Sequence, residues 1–406
     1  MSHANQVPLR RPLEPRDPHE AHRVATPLEL FFDLIFVVAI SSAAAAWHHG
    51  LVAGHYSQVI SFLMVFFAIW WAWMNYTWFA SAYERDDVVY RLLTFTIMVG
   101  ALMLAAGVPA LFDTGQSVLL VAGYAVMRFA MVAMWLRAAA GHPERRHTAL
   151  RYAGGIALVQ LLWIGRILVD GSGWLMATFW LLVVAELLVP VVAERHGVTP
   201  FHPHHIAERY ALLTIITLGE VILASVQAVQ GALAQGRERG LLLVIVGGVL
   251  IVFSMWWLYF KRDHVPLFER SVRTTFTVGY GHYAIFASVA ATGAGLAAAV
   301  DVVQGHGHTT PRAVGLALGL SVATYVGTLT TMHASVGQYP VETLGGVMVA
   351  VAAIVIGAVG MPVGTTVFLL GMLLAAAVAH SAVTSGLATS GATEGLDVAG
   401  VATSHE

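Results

Sequence analysis

The 406-residue chain contains no cysteine, which excludes disulfides, thiolate catalysis and cysteine-ligated zinc. It is poor in charge, with Asp, Glu, Lys and Arg together making up 11% of the residues; a soluble domain carries about a quarter. Lysine occurs once, at Lys261, and every other basic residue is arginine. The formal net charge is −2, so the basic footprint expected for nucleic-acid binding is missing and no such partner is expected. Hydrophobic residues make up 58% of the chain, and the mean hydropathy is +0.73. This composition is that of an integral membrane protein.

A membrane-spanning helix needs about 20 mostly apolar residues. Twelve such runs are legible, at 28–46, 57–80, 88–111, 117–139, 149–170, 174–194, 208–229, 240–260, 274–300, 313–333, 341–360 and 362–384. They are long and continuous, without the short alternating segments of a barrel, so the fold class is an all-α integral membrane protein. The first 26 residues are polar and contain Pro8, Pro12, Pro15 and Pro18, and are expected to form a disordered tail. A second loose tail is expected over 386–406.

Arginine placement orients the chain. With the N-terminus inside, 16 of the 21 basic residues fall on inner segments, Arg209 among them, while the outer loops hold only Arg237, Arg239 and Arg312. That asymmetry predicts cytoplasmic termini and a multi-pass protein of the inner membrane.

Three landmarks recur. Glu29, Trp70-Trp71 and Glu84-Arg85 are matched by Glu208, Trp256-Trp257 and Glu269-Arg270 at offsets of 179, 186 and 185 residues. The spacing suggests two tandem six-helix repeats, 27–194 and 195–385, in the parallel arrangement of many carriers, whose polar sites lie near the repeat interface.

Charges inside apolar spans point to function, because each is costly to insert. Glu29 and Asp33 are four residues apart and share a helix face. Glu29 is read either as a mouth acid or as helix-start electrostatics, and Asp33, one turn deeper, as a proton- or cation-accepting group. Glu220 lies twelve residues past Glu208, about 18 Å along the axis. There an ionised acid costs roughly 2.5–3.5 kcal/mol unless it is paired or hydrated. It reads as a proton-coupling carboxyl or as a static partner. Arg128 cannot deprotonate and needs an acid, with Glu220, Asp33 or Glu186 as the choices. His204, His205 and Glu208 have spacings open to a metal, but capping and interfacial hydrogen bonds explain them as well, so no metal and no cofactor is assigned. His282 reads as a satisfied core residue or as part of a polar relay. Trp70, Trp71, Trp73, Trp78, Trp256 and Trp257 read as an aromatic belt, and Gly154-Gly155 and Gly345-Gly346 as close-packing points.

The run Glu29–Ile40, ELFFDLIFVVAI, resembles the opening motif of the low temperature requirement A family of bacterial membrane proteins. His205-Ile-Ala-Glu208-Arg209 followed by Ile215-Ile-Thr-Leu218-Gly219-Glu220 resembles its second signature. Where the family often has His-Gly after that arginine, this chain has Tyr210-Ala211, which leaves any role of that histidine unassigned. The resemblance implies a polytopic inner-membrane protein linked by name to growth in the cold, and no particular molecular activity. The residues themselves favour a transporter or channel-like protein in contact with membrane lipids, moving an unnamed small solute or ion. A non-catalytic stress or cold-growth factor is the alternative. A lipid-acting enzyme would need a nucleophile or a metal beside the acids, and no such constellation is found.

Overall fold

The computed structural model describes residues 7–21, 23–168, 172–234, 240–335 and 340–402. The described residues form thirteen α-helices and no strand: α1 (Pro27–Ala53), α2 (Gln58–Tyr83), α3 (Val88–Thr114), α4 (Val118–Gly141), α5 (Arg146–Gly165), α6 (Ser172–Ala193), α7 (Pro203–Ala234), α8 (Leu241–Phe260), the short α9 (Val265–Glu269), α10 (Val272–Gln304), α11 (Pro311–Ala334), α12 (Pro340–Ala358) and α13 (Val363–Ala402). Eleven are long and apolar enough to cross a membrane, and α12 adds a shorter apolar stretch, Glu342–Ala358. Only α9 has no counterpart among the twelve runs read from the sequence. The loop arginines Arg237 and Arg239, expected outside, lie beyond the described residues.

Local chemistry sets the helix starts. Thr26-Pro27-Leu28-Glu29 is a capping box: the Glu29 amide donates to Thr26 Oγ1 (3.3 Å), and the Thr26 amide donates to Glu29 Oε2 (2.8 Å). This reciprocal bonding, with proline at the first helical position, fixes where α1 begins. Asp87, Ser117 and Thr310 cap α3, α4 and α11 by accepting the backbone amides of Tyr90, Leu120 and Ala313. Gly115 ends α3 in the left-handed region at φ 78°, a conformation that glycine adopts without steric cost.

The chain divides into two compact units. The first comprises residues 1–50, 55–220 and 264–271; the second comprises 51–54, 221–263 and 272–406. In the first unit α3 packs on α4, α4 on α5 and α5 on α6. The closest approach is between glycines: a Cβ on Gly123 would lie 2.5 Å from the Gly100 carbonyl, and one on Gly100 would lie 2.7 Å from the Gly123 carbonyl. In the second unit α8 packs on α13, α10 on α11, and α11 on α12. Gly315 and Gly357 make the α11–α12 approach, and Gly247 and Gly371 the α8–α13 approach. Of the glycine pairs expected to pack closely, Gly155 meets Val189 and Gly346 meets Thr330, while nothing approaches Gly154 or Gly345.

The N-terminal segment corrects the expectation of a loose tail. The Val88 and Val89 amides donate to the carbonyls of Pro8 and Leu9, and the Arg16 amide donates to the Ala82 carbonyl. Leu13 is 1% exposed, and its backbone runs across Gly141 so closely that a Cβ there would lie 2.5 Å from the Leu13 carbonyl. Asp87 joins the strap to two helices: besides capping α3, it accepts from the Arg11 amide (2.8 Å) and the Arg137 guanidinium (2.6 Å). Arg16 bridges Glu20 and Glu84 at 2.5 Å each. Burial and the nearby charge of Glu29 push the Glu84 carboxyl above its ordinary range, while Arg23 and Arg16 pull it back. Prolines stiffen this strap, and backbone hydrogen bonds dock it; composition alone reports only the first. At the other end, a loose tail is predicted from Gly386, whereas α13 continues to Ala402 with no proline to interrupt it; residues 403–406 lie outside the described residues.

The glycine contact is directly testable. Gly123→Val should lower the thermal midpoint of the detergent-solubilised protein, by the equivalent of about 1–3 kcal/mol for overpacking. Gly154→Val, at an open position, should leave it unchanged. Equal midpoints for the two variants would contradict the close α3–α4 approach.

Candidate functional site

The first unit holds two ionic centres. The larger lies where α1 meets the start of α7. Arg209 donates through Nη2 to Asp33 Oδ1 at 2.5 Å and places Nη1 3.1 Å from Glu29 Oε1. His205, one turn earlier on α7, places Nε2 3.0 Å from the same Glu29 oxygen. Arg23 adds a longer contact to Glu29 at 3.7 Å. The Trp73 indole N–H donates to Asp33 Oδ1 at 2.7 Å. Glu29, Asp33, His205 and Arg209 are all fully buried. The contacts of Glu29 Oε1 with Arg209 and His205 have ion-pair distance without hydrogen-bond alignment. Asp33 Oδ2, Arg209 Nε and His205 Nδ1 have no hydrogen-bond partner among the described residues.

Two arginines and two carboxylates make this cluster neutral when His205 is neutral. Burial makes each charge depend on the others, since removing one partner of a buried pair costs about 3–5 kcal/mol. Glu29 serves the helix start through Oε2, in the capping box, while Oε1 faces the cations. Glu208, beside the cluster on α7, is half-buried and accepts from the Ala25 amide at 3.0 Å. His204 is exposed and its ring lies 5.8 Å from that of His202. His204, His205 and Glu208 do not converge, and no group of three or more His, Asp or Glu suited to a metal occurs among the described residues.

Further along the same helix pair, Ser41 of α1 donates to Glu220 of α7 at 2.5 Å. Glu220 is half-buried. Arg209 and Glu220 are eleven residues apart, about three helical turns, and so project to nearly the same side of α7.

In the second centre the carboxylate is fully bonded, while Arg128 Nε and Nη1 have no hydrogen-bond partner among the described residues. Arg128 on α4 donates to Glu186 Oε2 on α6 at 2.6 Å, the Trp71 indole donates to the same oxygen at 2.9 Å, and the Tyr124 hydroxyl donates to Oε1 at 2.9 Å. Glu186 and Arg128 are fully buried. Of the three acids open to Arg128 from depth alone, Glu186 takes it; the depth match with Glu220 is overruled by which helices are neighbours.

In the second unit, His282 accepts no solvent and is bonded at both ring nitrogens. Nδ1 lies 2.7 Å from the Val278 carbonyl and Nε2 2.8 Å from the Tyr259 hydroxyl. A carbonyl only accepts, so Nδ1 carries a proton, and in the neutral ring Nε2 accepts from the tyrosine hydroxyl.

Sequence reasoning missed the central role of Arg209, which it placed on the inner flank, and misread two tryptophans. Trp71 and Trp73 are buried donors to Glu186 and Asp33, not belt residues, whereas Trp256 and Trp257 are each 46% exposed. The usable signal for Arg209 was its spacing of four from His205, which puts both on one face of α7.

The comparisons fit this arrangement. The model for the bacterial low temperature requirement A protein matches residues 24–383, from Arg23's neighbour through the first half of α13. The chain belongs to the low temperature requirement A family. Both motifs of the α1–α7 cluster lie within the matched region. An uncharacterised protein of Rhizobium meliloti (strain 1021) is 27% identical over 284 residues, covering 66% of this chain and 67% of that protein. No solved structure matches.

The second centre yields a prediction. Arg128→Leu alone should destabilise the solubilised protein by about 3–5 kcal/mol, because it strands a buried carboxylate. Adding Glu186→Gln, whose amide oxygen can accept from the Trp71 indole while its NH2 donates to the Tyr124 hydroxyl, should recover at least half of that loss in thermal unfolding. No recovery in the double variant would argue against the pairing.

Proposed function

We propose that this member of the family is a transporter or channel-like protein of the bacterial cytoplasmic membrane, with both termini cytoplasmic, and that it handles protons along the seam between α1 and α7. The groups that exchange the proton are Glu29, His205 and Asp33 around Arg209, with Glu220 further along. Arg128, Glu208 and His282 take no part in the exchange. The observation that carries this reading is the combination, in one fully buried cluster, of misaligned ion contacts with polar atoms that lack protein partners. A buried polar atom left unmet costs about 1–3 kcal/mol, and access by water or a polar solute offsets that cost. A second acid on the same side of α7, bonded to a single hydroxyl, extends the polar line beyond the cluster. Intramembrane ionisable groups of this kind mark ion pathways and proton relays.

The second reading, a non-catalytic stress or assembly factor, is favoured by the Arg128–Glu186 centre, in which both carboxylate oxygens accept hydrogen bonds from protein donors.

Purified protein in liposomes with a trapped pH dye separates the two. With a panel of solutes and an imposed potential, the native protein should give a proton-linked signal. Glu220→Gln should reduce it at least ten-fold with a loss of thermal stability of no more than a few degrees; Asp33→Asn should reduce it as strongly and also lower the thermal midpoint, because it takes a buried anion from Arg209. Native-like signals in both variants would reject the proton role. The absence of any signal from the native protein across the panel would favour the static reading.

A further inference from the structure

The second unit contains a cavity of about 420 Å³ that the α1–α7 seam does not use. It is bounded by the end of α8, by α11, by the start of α12 and by α13. Its size falls within the roughly 300–1,000 Å³ of small-molecule sites. Its lining is segregated. Charge is gathered at one end, in Lys261, Arg262 and Glu342, with His333 and His380 also in the lining; the rest is apolar wall, including Leu258, Val326, Leu329, Met348 and Leu373.

At the charged end two cations meet one carboxylate. Lys261 Nζ lies 3.7 Å from Glu342 Oε2, and the Arg262 guanidinium contacts the same oxygen. Two cations therefore share one carboxylate, and both are only partly exposed, at 19% and 18% of their side chains. Burial holds the Lys261 ammonium below its ordinary pKa, against the pull of Glu342. Lys261 is the sole lysine of a chain whose other basic residues are arginines. A compact ammonium beside a planar guanidinium suits a carboxylate or phosphate headgroup. The apolar wall suits a hydrocarbon chain and would repel a hydrated free anion.

We infer that this cavity binds an anionic amphiphile, a molecule with one acyl chain and a carboxylate or phosphate head, with the head on Lys261 and Arg262 and the chain along the α11–α13 wall. The head competes with Glu342 for the two cations. This site is independent of the proton reading, and its test does not depend on transport.

The test uses the full-length protein in detergent, with saturable binding measured by thermophoresis. Oleate and oleoyl lysophosphatidate should bind at one per chain. Oleyl alcohol should bind at least ten-fold more weakly, and inorganic phosphate and acetate should not compete. Lys261→Gln should weaken oleate at least ten-fold, and Lys261→Arg should retain most of the affinity. Ala352→Trp, which fills the cavity while leaving the charged end intact, should abolish binding of the acyl probes even if Lys261→Gln fails to fold. Equal binding of oleyl alcohol and oleate would overturn the proposal, as would effective competition by inorganic phosphate or unchanged oleate binding in Ala352→Trp.

Discussion

The first unit is organised by an arginine that cannot give up its charge. Arg209 is fully buried, and a guanidinium stays protonated at any accessible pH. Its burial is tolerable only if anions are brought to it, and α1 supplies two, Glu29 and Asp33, one turn apart. That requirement holds α1 against α7, draws the Trp73 indole of α2 onto Asp33, and places His205 against Glu29. Arg23 and Arg209 offset Glu29 and Asp33, with Arg23 also 3.8 Å from Glu84. A proton added to either carboxylate or to His205 changes that balance within a buried cluster, so the energies of the three groups are coupled.

The two ionic centres differ in how their carboxylates are bonded. Each oxygen of Glu186 accepts at least one well-formed hydrogen bond, so Arg128 and Glu186 behave as a fixed cross-brace between α4 and α6. In the Arg209 cluster Glu29 Oε1 and Asp33 Oδ2 lack an aligned donor, whereas both arginines, Arg128 and Arg209, leave part of the guanidinium unbonded. A satisfied network rigidifies, whereas a partly satisfied one is where a protein rearranges or admits a polar guest. Burial alone did not separate these cases, since all the groups are fully enclosed; hydrogen-bond alignment did.

How much was legible follows the same division. Hydropathy carries the spans, because a helix long enough to cross a bilayer must announce itself over about 20 residues. The acids on α1 were legible because they interrupt an apolar run. Their partners were not, because partnership depends on which helices are neighbours. Arg209 sits near the start of α7, where a snorkelling arginine is ordinary, and only packing against α1 makes it a core residue. The tryptophans failed for a related reason: Trp71 and Trp256 share a landmark pattern but differ from 0% to 46% in exposure, so similar spacing hides a donor in one case and an exposed ring in the other. The ordered strap was hidden in a proline-rich segment because its anchors are backbone groups, which composition does not reveal.

The two contacts between α1 and α7 also bear on the number of spans. Glu29 and Asp33 meet Arg209 near both helix starts, and Ser41 meets Glu220 twelve residues past Glu29 on one helix and eleven past Arg209 on the other. Contacts that follow the same order along both chains require the helices to run parallel. Successive spans reverse direction, so parallel running demands an even number of reversals between them. The five intervening helices α2–α6 give six. One span more or fewer in that region would turn α7 over and carry Glu220 to the level of Glu29. The buried arginine would then face the wrong end of α1. The electrostatics of a single side chain and the count of hydrophobic runs thus constrain each other, although neither is derived from the other.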